Sequence, residues 1–197
     1  VLDYNVFGFC TSLTSVTIPN SVTTIRGAFN GCSNLSTVTM PNSVTTIGEW
    51  TFQDCWHLTS IDLPNSLTSI GQLAFQGAGL TSVTIPNSVT TIGAAAFRWC
   101  FDLTSVTIGT SVSSIGDHAF YKCFSTPCTD GINEVTCLAT QPPTLGNGVF
   151  DELSKANTLV VPCNTLSAYQ AANGWSGLAH IQEAVGCTHS VAVDVND

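Results

Sequence analysis

The chain has 197 residues, 44% of them hydrophobic and only 9% charged, which gives enough apolar material for a globular core in one domain or at most two. Four Lys and Arg against thirteen Asp and Glu leave a formal net charge of −9, the wrong sign for neutralising phosphates or docking on anionic lipid, so nucleic-acid binding is excluded. No stretch approaches the roughly 18 consecutive apolar residues of a membrane span, and Val1 opens the chain without Met or a basic-then-apolar leader. It therefore reads as a processed or trimmed piece, whose missing targeting signals say nothing about where it resides.

Internal repetition dominates the chain. The segment Leu13-Thr-Ser-Val-Thr-Ile-Pro-Asn-Ser-Val-Thr-Thr-Ile25 recurs from Leu35, Leu58 and Leu80, and more loosely from Leu103, with the leucines 22, 23, 22 and 23 residues apart. A second phrase precedes each leucine: Phe7 with Cys10, Phe29 with Cys32, Phe52 with Cys55, Phe97 with Cys100, and Phe120 with Cys123. In the fourth unit Ala78 replaces the Cys after Phe75, and Leu80 comes one residue early. A period of 22–23 residues with Leu, Val and Ile at fixed phases lies in the leucine-rich-repeat range, where each unit is one coil of a solenoid. The expectation over 1–123 is a right-handed, β-rich leucine-rich-repeat solenoid of the α/β horseshoe class. It should have about six coils, counting an incomplete first one. One coil cannot bury enough to stand alone, so neighbours must cover both its faces and the ends must be capped.

Within a coil, Leu-x-x-Val-x-Ile ends as a half-buried strand, with Val16 and Ile18 inward and Thr17 outward. Pro19, Pro41, Pro64 and Pro86 end that ladder because proline has no N–H to donate, and Asn-Ser follows as a turn. Val22 to Ile25 forms a second extended piece. Gly48, Gly71, Gly93 and Gly116 mark the corner before the Phe phrase, which is expected to be one helical or 3-10 turn. Stacking aligns equivalent residues about 4.8 Å apart. One column reads Thr17, Thr39, Asp62, Thr84, Thr107; others read Thr23, Thr45, Thr68, Thr90, Ser113 and Thr24, Thr46, Ser69, Thr91, Ser114. The exposed sheet is a nearly uncharged hydroxyl array.

Periodicity stops after Cys123. Residues 124–186 read as a capping segment, with strands over Ile132 to Cys137 and Thr158 to Val161, and a short helix from an Asn164 cap through Ala172, ended by Gly174. Residues 187–197 read as a linker or truncated boundary.

The Ile-Pro-Asn-Ser-Val-Thr-Thr-Ile-Gly and Ala-Phe-x-x-Cys phrases resemble the leucine-rich repeat of BspA-like bacterial surface proteins. The tail resembles the C-terminal cap common in such proteins from Bacteroidetes: Cys137-Leu-Ala-Thr-Gln-Pro-Pro-Thr-Leu-Gly, then Val149-Phe150, Leu159-Val-Val-Pro162, Ala168-Tyr169 and Gly174-Trp175. The resemblance spans roughly residues 6–184. It implies an extracellular or cell-surface module for adhesion to host proteins or other cells, and it carries no catalytic residues or fixed ligand site. The chain departs from the pattern at Ala78, at the shortened corner Ile25 to Phe29, and at Gly109 in place of the strand-ending proline.

Five of the nine cysteines share one repeat phase, so Cys10, Cys32, Cys55, Cys100 and Cys123 are expected to be buried, reduced apolar fillers. Cys128, Cys137, Cys163 and Cys187 lie outside that phase. An oxidising compartment favours pairing them, as Cys163 with Cys187 and Cys128 with Cys137. No Cys-x-x-Cys pair exists, the four His residues are scattered, and no nucleophile elbow or phosphate loop is present. No enzyme, metal site or cofactor is expected. Trp50, Trp56, Trp99 and Phe101 neighbour the Phe and Cys phases, where they either shield the Phe layer or form a partly exposed strip for a partner. The reading is a monomeric, noncatalytic surface module that binds a host or cell-surface protein or glycan, without membrane insertion. The rival is an ice-binding or spacer solenoid that uses its Thr and Ser columns.

Overall fold

The computed structural model of the chain describes residues 1–123, 131–151 and 157–187. The two β-branched phrases of each unit form two short strands. The first phrase gives β1 (Ser15–Thr17), β3 (Thr37–Thr39), β6 (Ser82–Thr84) and β8 (Ser105–Ile108). The second gives β2 (Thr24–Ile25), β4 (Thr46–Ile47), β5 (Ser69–Ile70), β7 (Thr91–Ile92) and β9 (Ser114–Ile115). All these pairings are parallel and in repeat register: Thr24 faces Thr46, Thr46 faces Ser69, Ser69 faces Thr91, and Thr91 faces Ser114. The molecule is a parallel β-solenoid of about seven turns. Inward and outward residues alternate as a strand requires, with Val38 buried between exposed Thr37 and Thr39.

The Phe corners contain no helix. Trp50, Phe52 and Asp54 donate their N–H groups to the carbonyls of Gln72, Ala74 and Gln76 on the next coil, at 3.1, 2.7 and 2.8 Å. Leu73, Phe75 and Gly77 repeat this toward Ala94, Ala96 and Arg98. Residues two before and two after the Phe are left-handed, as at Trp50 and Asp54 (φ 55° and 56°) and at Ala95 and Trp99 (54° and 61°). Left-handed residues interrupt any helix, so the amide groups find partners on the neighbouring coil and build a third ladder between coils. The expected helical or 3-10 turn is thus replaced by an intercoil ladder.

Side chains behind this corner stack in register. Phe7, Phe29, Phe52, Phe75, Phe97, Phe120 and Phe150 follow one another with ring centroids 5.1–5.6 Å apart. Each such contact contributes about 0.5–1.5 kcal/mol beyond area burial. Cys32, Cys55, Cys100 and Cys123 lie buried beside the stack. Their thiols donate to the carbonyls of Phe7, Phe29, Phe75 and Phe97 on the preceding coil at 2.9, 3.3, 3.1 and 3.1 Å. Cys10 corrects the expectation for this phase: it is exposed, because the first coil has a neighbour on one side only.

The repeat that ends in the sequence after Cys123 continues in space. β10 (Glu134–Cys137), β12 (Thr158–Val161) and β13 (His180–Glu183) extend the first sheet in the order β6-β8-β10-β12-β13, and β11 (Thr144–Leu145) extends the second beyond β9. α1 (Leu166–Ala171) and a 3-10 turn (Trp175–Gly177) close the end. The helix cap is Thr165, whose hydroxyl turns back to the Pro162 carbonyl at 2.7 Å. Asn164, expected as the cap, instead occupies a left-handed position (φ 63°). Gly174, also left-handed (φ 83°), precedes the 3-10 turn. Trp175 meets the last Phe ring, Phe150, at 5.4 Å and donates its indole N–H to the Pro143 carbonyl at 2.8 Å. Tyr169 packs edge-on against Trp175 at 5.3 Å and donates to the Ala139 carbonyl at 2.7 Å.

Candidate binding surface

The strand column that was expected to be continuous is divided. Thr17 faces Thr39, and Thr84 faces Thr107, but Asp62 lies exposed in a segment outside any strand. The first sheet is therefore two pieces, β1-β3 and β6-β8-β10-β12-β13. Beyond Thr107 the column continues through Thr136, Val160 and Gln182, positions that carry no repeat signal in the sequence. In the column Thr23, Thr45, Thr68, Thr90, Ser113, each hydroxyl from Thr45 on donates to the carbonyl of the preceding member, at 3.3, 3.0, 3.2 and 3.2 Å. These side chains staple one coil to the next.

The aromatic candidates separate into distinct environments. Trp50 stands 37% exposed on the shoulder before the Phe stack, with its ring 5.9 Å from Tyr4. Trp99 is half-buried under the Arg98 guanidinium, 4.2 Å from its ring centre, and that guanidinium also lies 5.3 Å from the Tyr121 ring. Trp56 and Phe101 stand 63% and 51% exposed on the shoulder after the stack, at one repeat phase but two coils apart. The Phe layer is shielded by its own stacking. Beside Trp56, burial raises the Asp54 carboxyl above its ordinary value, opposed by the Trp56 indole as hydrogen-bond donor.

The remaining chemistry is quiet. Among the described residues no group of three or more His, Cys, Asp or Glu side chains is placed to hold a metal ion. Burial pushes the Cys55 and Cys100 thiols well up and the Cys123 thiol to about 12, so each stays a protonated donor rather than a nucleophile. Cys163 and Cys187 are joined by a disulfide that ties α1's approach to the end of β13. The other expected pair, Cys128 with Cys137, falls in part outside the described residues. Cys137 is a free, buried thiol in contact with the Tyr169 hydroxyl at 3.1 Å, since its strand position points it into the core. Cys128 and the expected linker from 188 onward lie outside the described residues. No helix among the described residues is long and apolar enough to cross a membrane.

The pattern of the BspA type leucine rich repeat region matches residues 1–127 in six copies. A comparison with proteins of curated function finds no match. Among solved structures, the chain is 34% identical to the Treponema pallidum (T. pallidum) leucine-rich repeat protein TpLRR, with 75% of this chain and 67% of that chain aligned at a TM-score of 0.65. A leucine-rich repeat protein from Bacteroides ovatus aligns over 93% of this chain and 64% of its own at 22% identity and a TM-score of 0.52. The pneumococcal vaccine antigen PcpA aligns over 87% of this chain and 42% of its own at 20% identity and a TM-score of 0.63. The chain thus spans less than two thirds of these last two proteins, whose likeness concerns the fold. With a six-copy match and strand, Phe and Cys phases in register through the solenoid, the chain belongs to the BspA-type leucine-rich repeat family.

Proposed function

We propose that the chain is a noncatalytic binding module of a bacterial cell surface or the extracellular space, recognising protein or glycan partners as a monomer. The observation that carries this reading is the contrast on its surface. The hydroxyls of Thr45, Thr68, Thr90 and Ser113 are tied to neighbouring coils, whereas Trp56 and Phe101 stand largely in solvent. Aromatic side chains are the anchors from which interfaces draw most of their energy, and a polar rim around them is the usual setting. Family membership, and the vaccine-antigen status of the structurally similar PcpA, support a place outside the cell.

The test is label-free interferometry of the purified chain against host matrix proteins, mucins and glycans, beside Thr39→Lys/Thr84→Lys on the sheet and Trp56→Ala/Phe101→Ala on the edge. The expected result is a specific partner whose binding is lost in one pair of variants, with no retention on heparin at physiological salt. Absence of any binding by the wild type, or heparin retention, would contradict the reading. Thermal hysteresis, the signature of an ice-ordering hydroxyl array, is expected to be absent.

A further inference from the structure

We propose that the turns following β8 and β10, on the fifth and sixth coils, enclose a cleft for one neutral hexose ring of a glycan. Phe101 precedes β8 and the cleft follows it, so this is a second site, separate from the aromatic edge.

In the regular coils one serine sews this turn to the coil before it. Ser43, Ser66 and Ser88 are half-buried and donate their hydroxyls to the carbonyls of Val22, Val44 and Leu67, at 2.8, 2.7 and 2.6 Å. Ser111 holds the same phase, yet it is exposed and its hydroxyl has no partner among the described residues. The carbonyl of Val112, in phase with Val22, Val44 and Leu67, likewise receives no hydrogen bond among them.

Three departures from the repeat part the two turns. Gly109 stands where the earlier coils have proline, and a Cβ there would lie 2.6 Å from the Pro86 carbonyl carbon, so the fifth turn settles against the fourth. The Thr110 N–H fixes it there, reaching Asn87 Oδ1 at 3.0 Å. The sixth turn is one residue longer: six steps separate Ile108 from Ser114, and seven separate their ladder partners Cys137 and Thr144. It is also drawn toward the cap, where the Tyr169 hydroxyl and the Trp175 indole donate to the carbonyls of Ala139 and Pro143. Ladder bonds close the gap at both ends, from Leu138 N–H to Ile108 O and from Thr144 N–H to Ser113 O, each 2.9 Å. Between them opens a cavity of about 300 Å³, with Thr110, Ser111 and Val112 on the fifth coil and Ala139, Thr140 and Gln141 on the sixth.

The lining selects the occupant. No lining residue is charged, so an ammonium, carboxylate or sulfate group entering the cleft would leave water without a counter-charge. No lining residue is aromatic or Arg either, the anchors on which protein interfaces depend. The hydroxyls of Thr110, Ser111 and Thr140 can each donate and accept, the Gln141 amide does both, and none of the four has a partner among the described residues. A sugar hydroxyl has the same double capacity. Val112 and Ala139, both buried, supply apolar surface for the C–H groups of the ring. The volume is at the low end for small-ligand clefts, which suits a single ring with the rest of the glycan in solvent.

The experiment is ligand-observed NMR titration of the purified chain with cellotetraose, mannotetraose and lacto-N-neotetraose, beside anionic sialyllactose and cationic tetraglucosamine. At least one neutral glycan should bind more tightly than both charged ones. Ser111→Ala and Gln141→Ala should each weaken it about fivefold, the net worth of one hydrogen bond, with the urea midpoint unchanged. Ser88→Ala, which removes a serine that does sew its turn, should do the reverse, lowering the urea midpoint while binding stays within twofold of wild type. Trp56→Ala/Phe101→Ala should also bind the glycan within twofold. Binding unchanged in Ser111→Ala and Gln141→Ala, or lost only in Trp56→Ala/Phe101→Ala, would overturn the cleft, and tighter binding of a charged glycan would overturn its ligand class. Silence of every neutral glycan would overturn the proposal, and a protein partner lost in Trp56→Ala/Phe101→Ala would then leave the binding-module reading standing alone.

Discussion

At Gly93 an added Cβ would lie 2.5 Å from the Gln72 nitrogen and 2.6 Å from the Gly71 carbonyl carbon, because the glycine column brings successive coils into backbone contact. Two residues on, Ala95 holds a left-handed φ of 54° that glycine would adopt without strain. Gly93→Ala should therefore lower stability by roughly 2 kcal/mol or more, since rigid backbone must move. Ala95→Gly should be neutral or stabilise by up to about 1 kcal/mol. Urea midpoints of the two variants check both signs. The thiols supply a pH test. The folded Cys100 and Cys123 values lie above the unfolded value of 9.0, with Cys123 at about 12, so their contribution is intact below pH 9 and is lost as pH rises from 9 toward 12. At pH 10 each should cost about 1.4 kcal/mol relative to pH 8. Urea midpoints at pH 8 and 10 should show a smaller alkaline loss in Cys100→Ala/Cys123→Ala than in wild type. Native maleimide labelling of the described free thiols should be fastest at Cys10.

Among the elements, the strands were legible in the sequence and the corners were not. Alternating apolar residues before a proline, or before Gly109 in the fifth unit, state a half-buried strand and its end in side-chain chemistry, and the structure places β1, β3, β6 and β8 there, whereas Ile61 to Leu63 before Pro64 forms no strand. The Phe-x-x-Cys phrase has a helical spacing, but Trp50, Leu73, Ala95 and His118 occupy left-handed positions that no residue type announces, so the turn was read as helical. β11 and β13 were missed for a related reason: a two-residue strand and His180–Glu183 lack the β-branched alternation, and only pairing to β9 and β12 makes them strands. The candidate site divides in the same way. The aromatic residues and the shortened fourth unit stand plainly in the sequence, while the exposure that separates Trp56 and Phe101 from the covered Trp99 is set by Arg98. In the Phe stack, Phe97 is fully buried between Phe75 and Phe120 at 5.1 Å on each side, whereas Phe7 is half-buried with one stacked neighbour, Phe29. Phe97→Ala should cost about 3–5 kcal/mol and Phe7→Ala clearly less, as judged by thermal and urea denaturation.

The whole molecule is a one-dimensional stack in which each coil is stabilised by its neighbours. Cross-coil ladders run through both sheets and through the Phe corners, and one end is closed by Tyr169, Trp175 and the Cys163–Cys187 disulfide. Such an architecture repeats its surface as faithfully as its core, so a unique site has to come from a break in the repeat. The fourth coil contains such a break, at Ala78, Gly79 and the early Leu80, and Trp56 and Phe101 stand exposed on the coils either side of it. The most direct test of this account is to measure stability and partner binding together for Trp56→Ala/Phe101→Ala. The account predicts a melting temperature within about 2 °C of wild type, as for surface substitutions worth under about 0.5 kcal/mol, with binding reduced at least tenfold. A fall in melting temperature with binding unchanged would show that these rings serve the fold, and would contradict it.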